Sequence, residues 1–100
     1  MYGLIVKVKL VVGARDQFVE LLRQSAVGMP GCLSYVVAQD ASDENTVWVT
    51  EVWNNLRSHE ASLSLPRVQA VIPRAKAIVA SFERIAVTTP VWAAVGLEPQ

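Results

Sequence analysis

The stretch Thr46–Leu63, "TVWVTEVWNNLRSHEASL", changes its period halfway along. Up to Trp53 it alternates, with Val47, Val49, Glu51 and Trp53 on one face and Trp48, Thr50 and Val52 on the other. That is the pattern of a β-strand, carried by β-branched and aromatic residues. Asn54 and Asn55 both suit a helix N-cap, and beyond them Leu56, His59 and Leu63 recur at spacings of three and four, one stripe of an α-helix. A strand therefore runs almost directly into a helix. Glu51 and Trp53 share a sheet face, and His59, the single histidine of the chain, faces that sheet when its flanking leucines pack against it.

The segments on either side extend the pattern. Residues 2–12 alternate, with Leu4, Val6, Val8, Leu10 and Val12 opposite Ile5, Lys7, Lys9 and Val11, and Gly13 ends the strand. Residues 14–27 switch to helical spacing, with Phe18, Leu21, Leu22 and Ala26 on one stripe and Asp16 in the first turn, at the positive end of the helix dipole. Gly28 is placed as the C-terminal cap, and Met29-Pro30-Gly31 forces a turn. A second strand is expected at about 32–39, and "DASDEN" (40–45) has the composition of a hairpin loop leading into the third strand. Pro66 and Pro73 each suit the first turn of a helix, so Arg57–Ala80 reads as two or three short helices. A last strand is expected at about 82–89, ended by Pro90 and followed by the apolar tail "VWAAVGL" (91–97).

The order β-α-β-β-α-β with right-handed crossovers predicts an α+β, ferredoxin-like fold, an antiparallel sheet with its helices on one face. The opposite face would carry Ile5, Val11, Trp48 and Val52, or their opposites, with nothing over them. The chain has 100 residues, 52% of them hydrophobic and 18% charged. That is more apolar side chain than so small a domain can bury alone, and with the bare sheet face it predicts a homodimer whose sheets pack face to face.

Composition also excludes. Formal charge is zero, with nine basic and nine acidic residues, so no net field attracts nucleic acid or an anionic membrane. The apolar start "MYGLIVKVKLVV" is interrupted by Lys7 and Lys9 and lacks a signal-peptide cleavage site, and no run approaches the roughly 20 residues of a membrane span. Cys32 is alone, which rules out an intrachain disulfide, leaves the thiol simply buried and fits a reducing cytoplasm. The glycines form neither a dinucleotide fingerprint nor a phosphate loop. With one histidine and one cysteine a zinc site would rest mostly on carboxylates, and no serine lies in a G-x-S-x-G elbow. No cofactor and no metal are expected.

The chemistry then concentrates at Glu51, Trp53 and His59. An imidazole moves protons near neutrality, an indole offers a flat face and one N–H, and a carboxylate fixes the imidazole's tautomer. Together they suit deprotonation of an acidic phenol or enol in a dry site, with Tyr35, Leu56 and Leu63 as substrate-binding wall. Of Ser34 and Tyr35, on opposite faces of the second strand, only one hydroxyl reaches a pocket. The plainer alternative is a structural histidine on an apolar stripe with Trp53 as core. Glu51 needs a partner in either reading: a backbone group, an arginine or His59.

Pro30-Gly31-Cys32 entering a strand, Glu51-x-Trp53, then His59 and "SLSLPRV" (62–68) resemble the antibiotic biosynthesis monooxygenase family, a dimeric α/β-barrel group that includes quinol monooxygenases. The resemblance covers roughly residues 2–91 as one domain, with 92–100 as a C-terminal tail. It implies oxygenation of a quinol or polyphenolic aromatic by molecular oxygen without metal, flavin or haem. In the mechanism it implies, a base removes a phenolic proton, the anion passes an electron to O2, and the radical pair recombines. Carried onto this chain, His59 is the general base, Trp53 the pocket wall and donor to a developing oxyanion, and Glu51 the orienting carboxylate. The tail departs from the Gly-Gly-His-Gly-like end of similar members, and no tail histidine is present. The wider family also contains haem degraders, isomerases and proteins without known activity, so the alternatives are a non-catalytic dimeric small-molecule-binding module, or a haem-degrading or isomerase member.

Overall fold

The computed structural model describes residues 1–94. Its elements run β1 (Tyr2–Leu10), α1 (Arg15–Ala26), β2 (Cys32–Gln39), β3 (Thr46–Trp53), α2 (Leu56–Ser62), α3 (Pro66–Lys76) and β4 (Val79–Thr88). The four strands form one antiparallel sheet in the order β2-β3-β1-β4, the ferredoxin-like arrangement.

Strand parity decides which face is covered. Val8 lies opposite Val47, Val6 opposite Val49 and Leu4 opposite Glu51, so the alternating apolar sets of β1 and β3 fall on the same side. Leu4, Val6, Val8 and Leu10 are buried there with Val47 and Val49, beneath Ala14 and Phe18 of the α1 region. Complete burial of each such side chain contributes about 1.5–3 kcal/mol. α1 and α3 pack side by side, while α2 sits against β3.

On the opposite face Ile5, Trp48 and Val52 are half-buried and Val36 is 52% exposed. Trp48 Nε1 donates to Asp40 Oδ1 at 2.8 Å, and Lys7 Nζ lies 5.6 Å from the Trp48 ring centroid. That indole bond, with the backbone N–H groups of Ser42 and Asp43, lowers the Asp40 carboxyl to about 2. Asp40 and Asp43 thereby organise the hairpin expected from "DASDEN".

Three boundaries differ from the sequence reading. β1 stops at Leu10, because the Val11 N–H turns away to bond Ile78 O at 2.9 Å. β4 starts at Val79 rather than 82, since Val79 already pairs with Leu10 and Ser81 with Lys9. Pro73 lies inside α3 instead of opening a helix. It costs the hydrogen bond to Gln69 O, but both residues are exposed, so water can serve that carbonyl while Val71, Ile72 and Ala75 keep the inward stripe. Gly28 follows α1 with φ 69°, the left-handed position of a C-terminal cap. Val91 and Trp92 of the apolar tail are 93% and 79% exposed; residues 95–97 of the tail expected at 91–97 lie outside the described residues.

Candidate active site

The turn that ends β3 also fixes the direction of α2. Asn55 Oδ1 accepts from Ser58 N at 2.8 Å, the cap expected from sequence, and Asn54 N donates to Gly31 O at 2.9 Å. Gly31 has φ 79°, and a Cβ there would lie 2.5 Å from Ser58 Oγ. Only a glycine lets the start of β2 approach α2 this closely. The helix thus docked turns His59 and Ser62 toward the sheet, and the Ser62 hydroxyl donates to His59 O at 2.6 Å.

Between sheet and helices lies a cavity of about 500 Å³. Its floor is Leu4, Val6, Val8 and Val49; its roof includes Phe18 and Leu22 of α1 and Val68, Val71 and Ile72 of α3. Polar side chains reach it mainly at two ends. Tyr35, Glu51, His59 and Ser62 stand where β2 and β3 meet α2, and Lys76 and Arg84 stand at the β4 edge.

At the first end the contacts are specific. Trp53 Nε1 donates to Glu51 Oε1 at 3.0 Å, and His59 Nε2 lies 3.9 Å from the same oxygen. His59 and Glu51 side chains are only 12% and 10% exposed. Burial raises the Glu51 carboxyl above its usual range, and the Trp53 bond and the neighbouring imidazole only partly offset this. Burial raises the Tyr35 phenol as well, helped by the Glu51 carboxylate beside it. The imidazole is held between two rings: Tyr2, with centroids 5.4 Å apart and planes tilted by 32°, and Trp53, edge-on at 5.5 Å and 70°. His59 Nδ1 is buried and has no hydrogen-bond partner among the described residues.

The structure thus brings Glu51, Trp53, His59, Tyr35 and Leu63 to one cavity. Leu56 stays out of its wall and is 48% exposed. At about 100° per residue the inward direction of α2 bisects His59 and Ser62, which leaves Leu56 on the shoulder of the helix. The Trp53 indole is fully buried and its one N–H is committed to Glu51, so the sequence expectation of a free oxyanion donor has no proton left to act with. Sequence reading missed Tyr2, although it lies opposite Trp53 and its parity with Leu4 already put it on the helix-covered face. Among the described residues no group of three or more His, Cys, Asp and Glu is placed to hold a metal ion, and no helix is long and apolar enough to cross a membrane.

Known proteins share this frame. A crystal structure from Chloroflexus aurantiacus, provisionally assigned as an antibiotic biosynthesis monooxygenase, superposes with a TM-score of 0.90 at 46% identity over 95% of this chain and 98% of that one. Two similarly assigned proteins share the fold at lower identity. The one from Deinococcus radiodurans has a TM-score of 0.75 at 24% identity, covering 99% of this chain and 100% of its own. The one from Nitrosomonas europaea has 0.82 at 16%, covering 92% and 100%. A search of curated proteins gave no match. The sequence model of the antibiotic biosynthesis monooxygenase family matches residues 1–74, a span that contains Glu51, Trp53 and His59, and the chain belongs to that family.

Proposed function

We propose that the chain is a cofactor-independent monooxygenase that oxygenates a quinol or polyphenolic aromatic with O2, working as a homodimer in the cytoplasm. The observation that carries this reading is an apolar cavity of about 500 Å³ with one buried carboxylate–imidazole pair at its end. That volume is in the usual range for a small organic ligand, about 300–1,000 Å³.

In the proposed reaction a phenolic hydroxyl enters at that end and His59 Nε2 takes its proton. Glu51 Oε1 faces the imidazolium that forms, and Tyr2 and Trp53 hold the ring in place. The electron-rich anion transfers one electron to O2 and the radical pair combines, forming a C–O bond. Cleavage of the O–O bond leaves one oxygen on carbon as a new carbonyl or hydroxyl. The other leaves as water with two hydrogens from the substrate, which is its own reductant. The apolar walls offer the intermediates few polar groups besides those at the two ends.

The uncovered sheet face with Val36, Trp48 and Val52 supports the homodimer, and the lone Cys32 the reducing compartment. The test is oxygen consumption with a panel of dihydroxynaphthalenes. Wild type should consume one O2 per product, and His59→Ala should be slower by about 10²–10⁴-fold. Binding without turnover by the wild type across the panel would point instead to a small-molecule-binding module.

A further inference from the structure

The far end of the cavity carries charge that the proton chemistry does not use. Lys76 closes α3 and Arg84 stands on the helix-covered face of β4, opposite Val6, and both line the cavity. Neither has an ion-pair partner among the described residues, whose four pairs are Lys9–Asp43, Arg15–Asp16, Arg23–Glu20 and His59–Glu51. Among the described residues Glu51 is the sole carboxylate on the cavity wall, and it sits at the opposite end. The neighbouring Glu83 points to the other face of β4, opposite Lys7. Glu51 lies opposite Leu4 and Arg84 opposite Val6 on the two sides of β1, which separates their Cα atoms by about 12 Å given the usual strand spacings.

Resting on the function proposed above, we infer that the substrate is an aromatic acid: a hydroxylated ring system with a carboxylate at the end remote from the reacting hydroxyl. Two exposed cations with no ion-pair partner among the described residues, at the rim of an apolar chamber, suit an anion, and an arginine binds a carboxylate in a two-pronged, directional way. Glu51 acts in the same sense, because a substrate carboxylate at its end would face it with no new cation beside it, whereas the phenolate formed there is paired with the His59 imidazolium. The charge pattern therefore orients the ligand, placing the carboxylate at Lys76 and Arg84 and the hydroxyl at His59.

The test is equilibrium binding of 6-hydroxy-2-naphthoic acid and its methyl ester, followed by ligand fluorescence without any turnover. Wild type should bind the acid about tenfold more tightly than the ester. In the Lys76→Gln, Arg84→Gln double variant the acid should lose that advantage while ester affinity stays unchanged. Equal affinities in wild type, or an acid preference that survives in the double variant, overturns the inference. Loss of ester binding as well would show that the two side chains shape the chamber rather than select charge, and would overturn it too. Binding is scored apart from oxygen consumption, so failure of the dihydroxynaphthalene panel sinks the oxygenase reading, and failure of the acid preference sinks this one.

Discussion

Glu51 is the residue on which the site turns. A carboxylate at 10% side-chain exposure is costly to ionise, and here it is supported by one indole N–H and an imidazole 3.9 Å away. Its folded carboxyl keeps the proton to higher pH than the ordinary value of 4.5. The folded state therefore binds more protons than the unfolded one across that window, and stability falls as pH rises through it. Glu51→Gln retains an oxygen acceptor for Trp53 Nε1 but does not titrate. Its melting temperature relative to wild type should accordingly rise between about pH 4 and about pH 8. A difference that stays flat or shrinks with pH would refute the assigned direction. Sequence made this residue conspicuous as a charge inside an apolar run, and it limited the partner to three kinds. It could not pick the indole, because a bond between residues two apart on a strand depends on side-chain rotamers rather than on spacing. Tyr2 escaped notice for a related reason: its contact with His59 joins elements more than fifty residues apart.

At the scale of elements, the site depends on how tightly α2 is docked. Gly31 carries both requirements, a positive φ of 79° and close passage beside Ser58 and Asn54. Gly31→Ala should cost about 2 kcal/mol in urea unfolding and displace α2, so that ligand binding in the cavity weakens as well. Unchanged stability would mean that this approach is looser than the contacts indicate. Glycine, asparagine and period changes made β1, α1, β2, β3 and the start of α2 legible in advance. The α3–β4 region was not, for physical reasons. A proline on the solvent side of a helix need not end it, and the first residues of β4, Val79–Ala80–Ser81, take their strand conformation from pairing with β1 rather than from their own pattern.

For the molecule as a whole, the sheet has one face under helices and one, with Val36 exposed and Trp48 and Val52 half-buried, that no helix of the described residues covers. On the homodimer reading that face is the interface. The Val36→Lys, Val52→Asp double variant should then sediment as a monomer at concentrations where wild type is a dimer. A wild-type monomer, or a double variant that remains a dimer, would remove the face-to-face packing. The fold class was readable because element order and strand parity follow from sequence alone. The cavity was not, since its volume is what remains after α1, α3 and the sheet have packed. The central claim is that this cavity inserts an oxygen atom from O2 into a phenolic substrate. The direct measurement is turnover of a dihydroxynaphthalene under oxygen-18 gas, with mass analysis of the product. One heavy oxygen in the product, absent in the His59→Ala reaction over the same interval, is the predicted result. An unlabelled product, or equal labelling by both proteins, would contradict it.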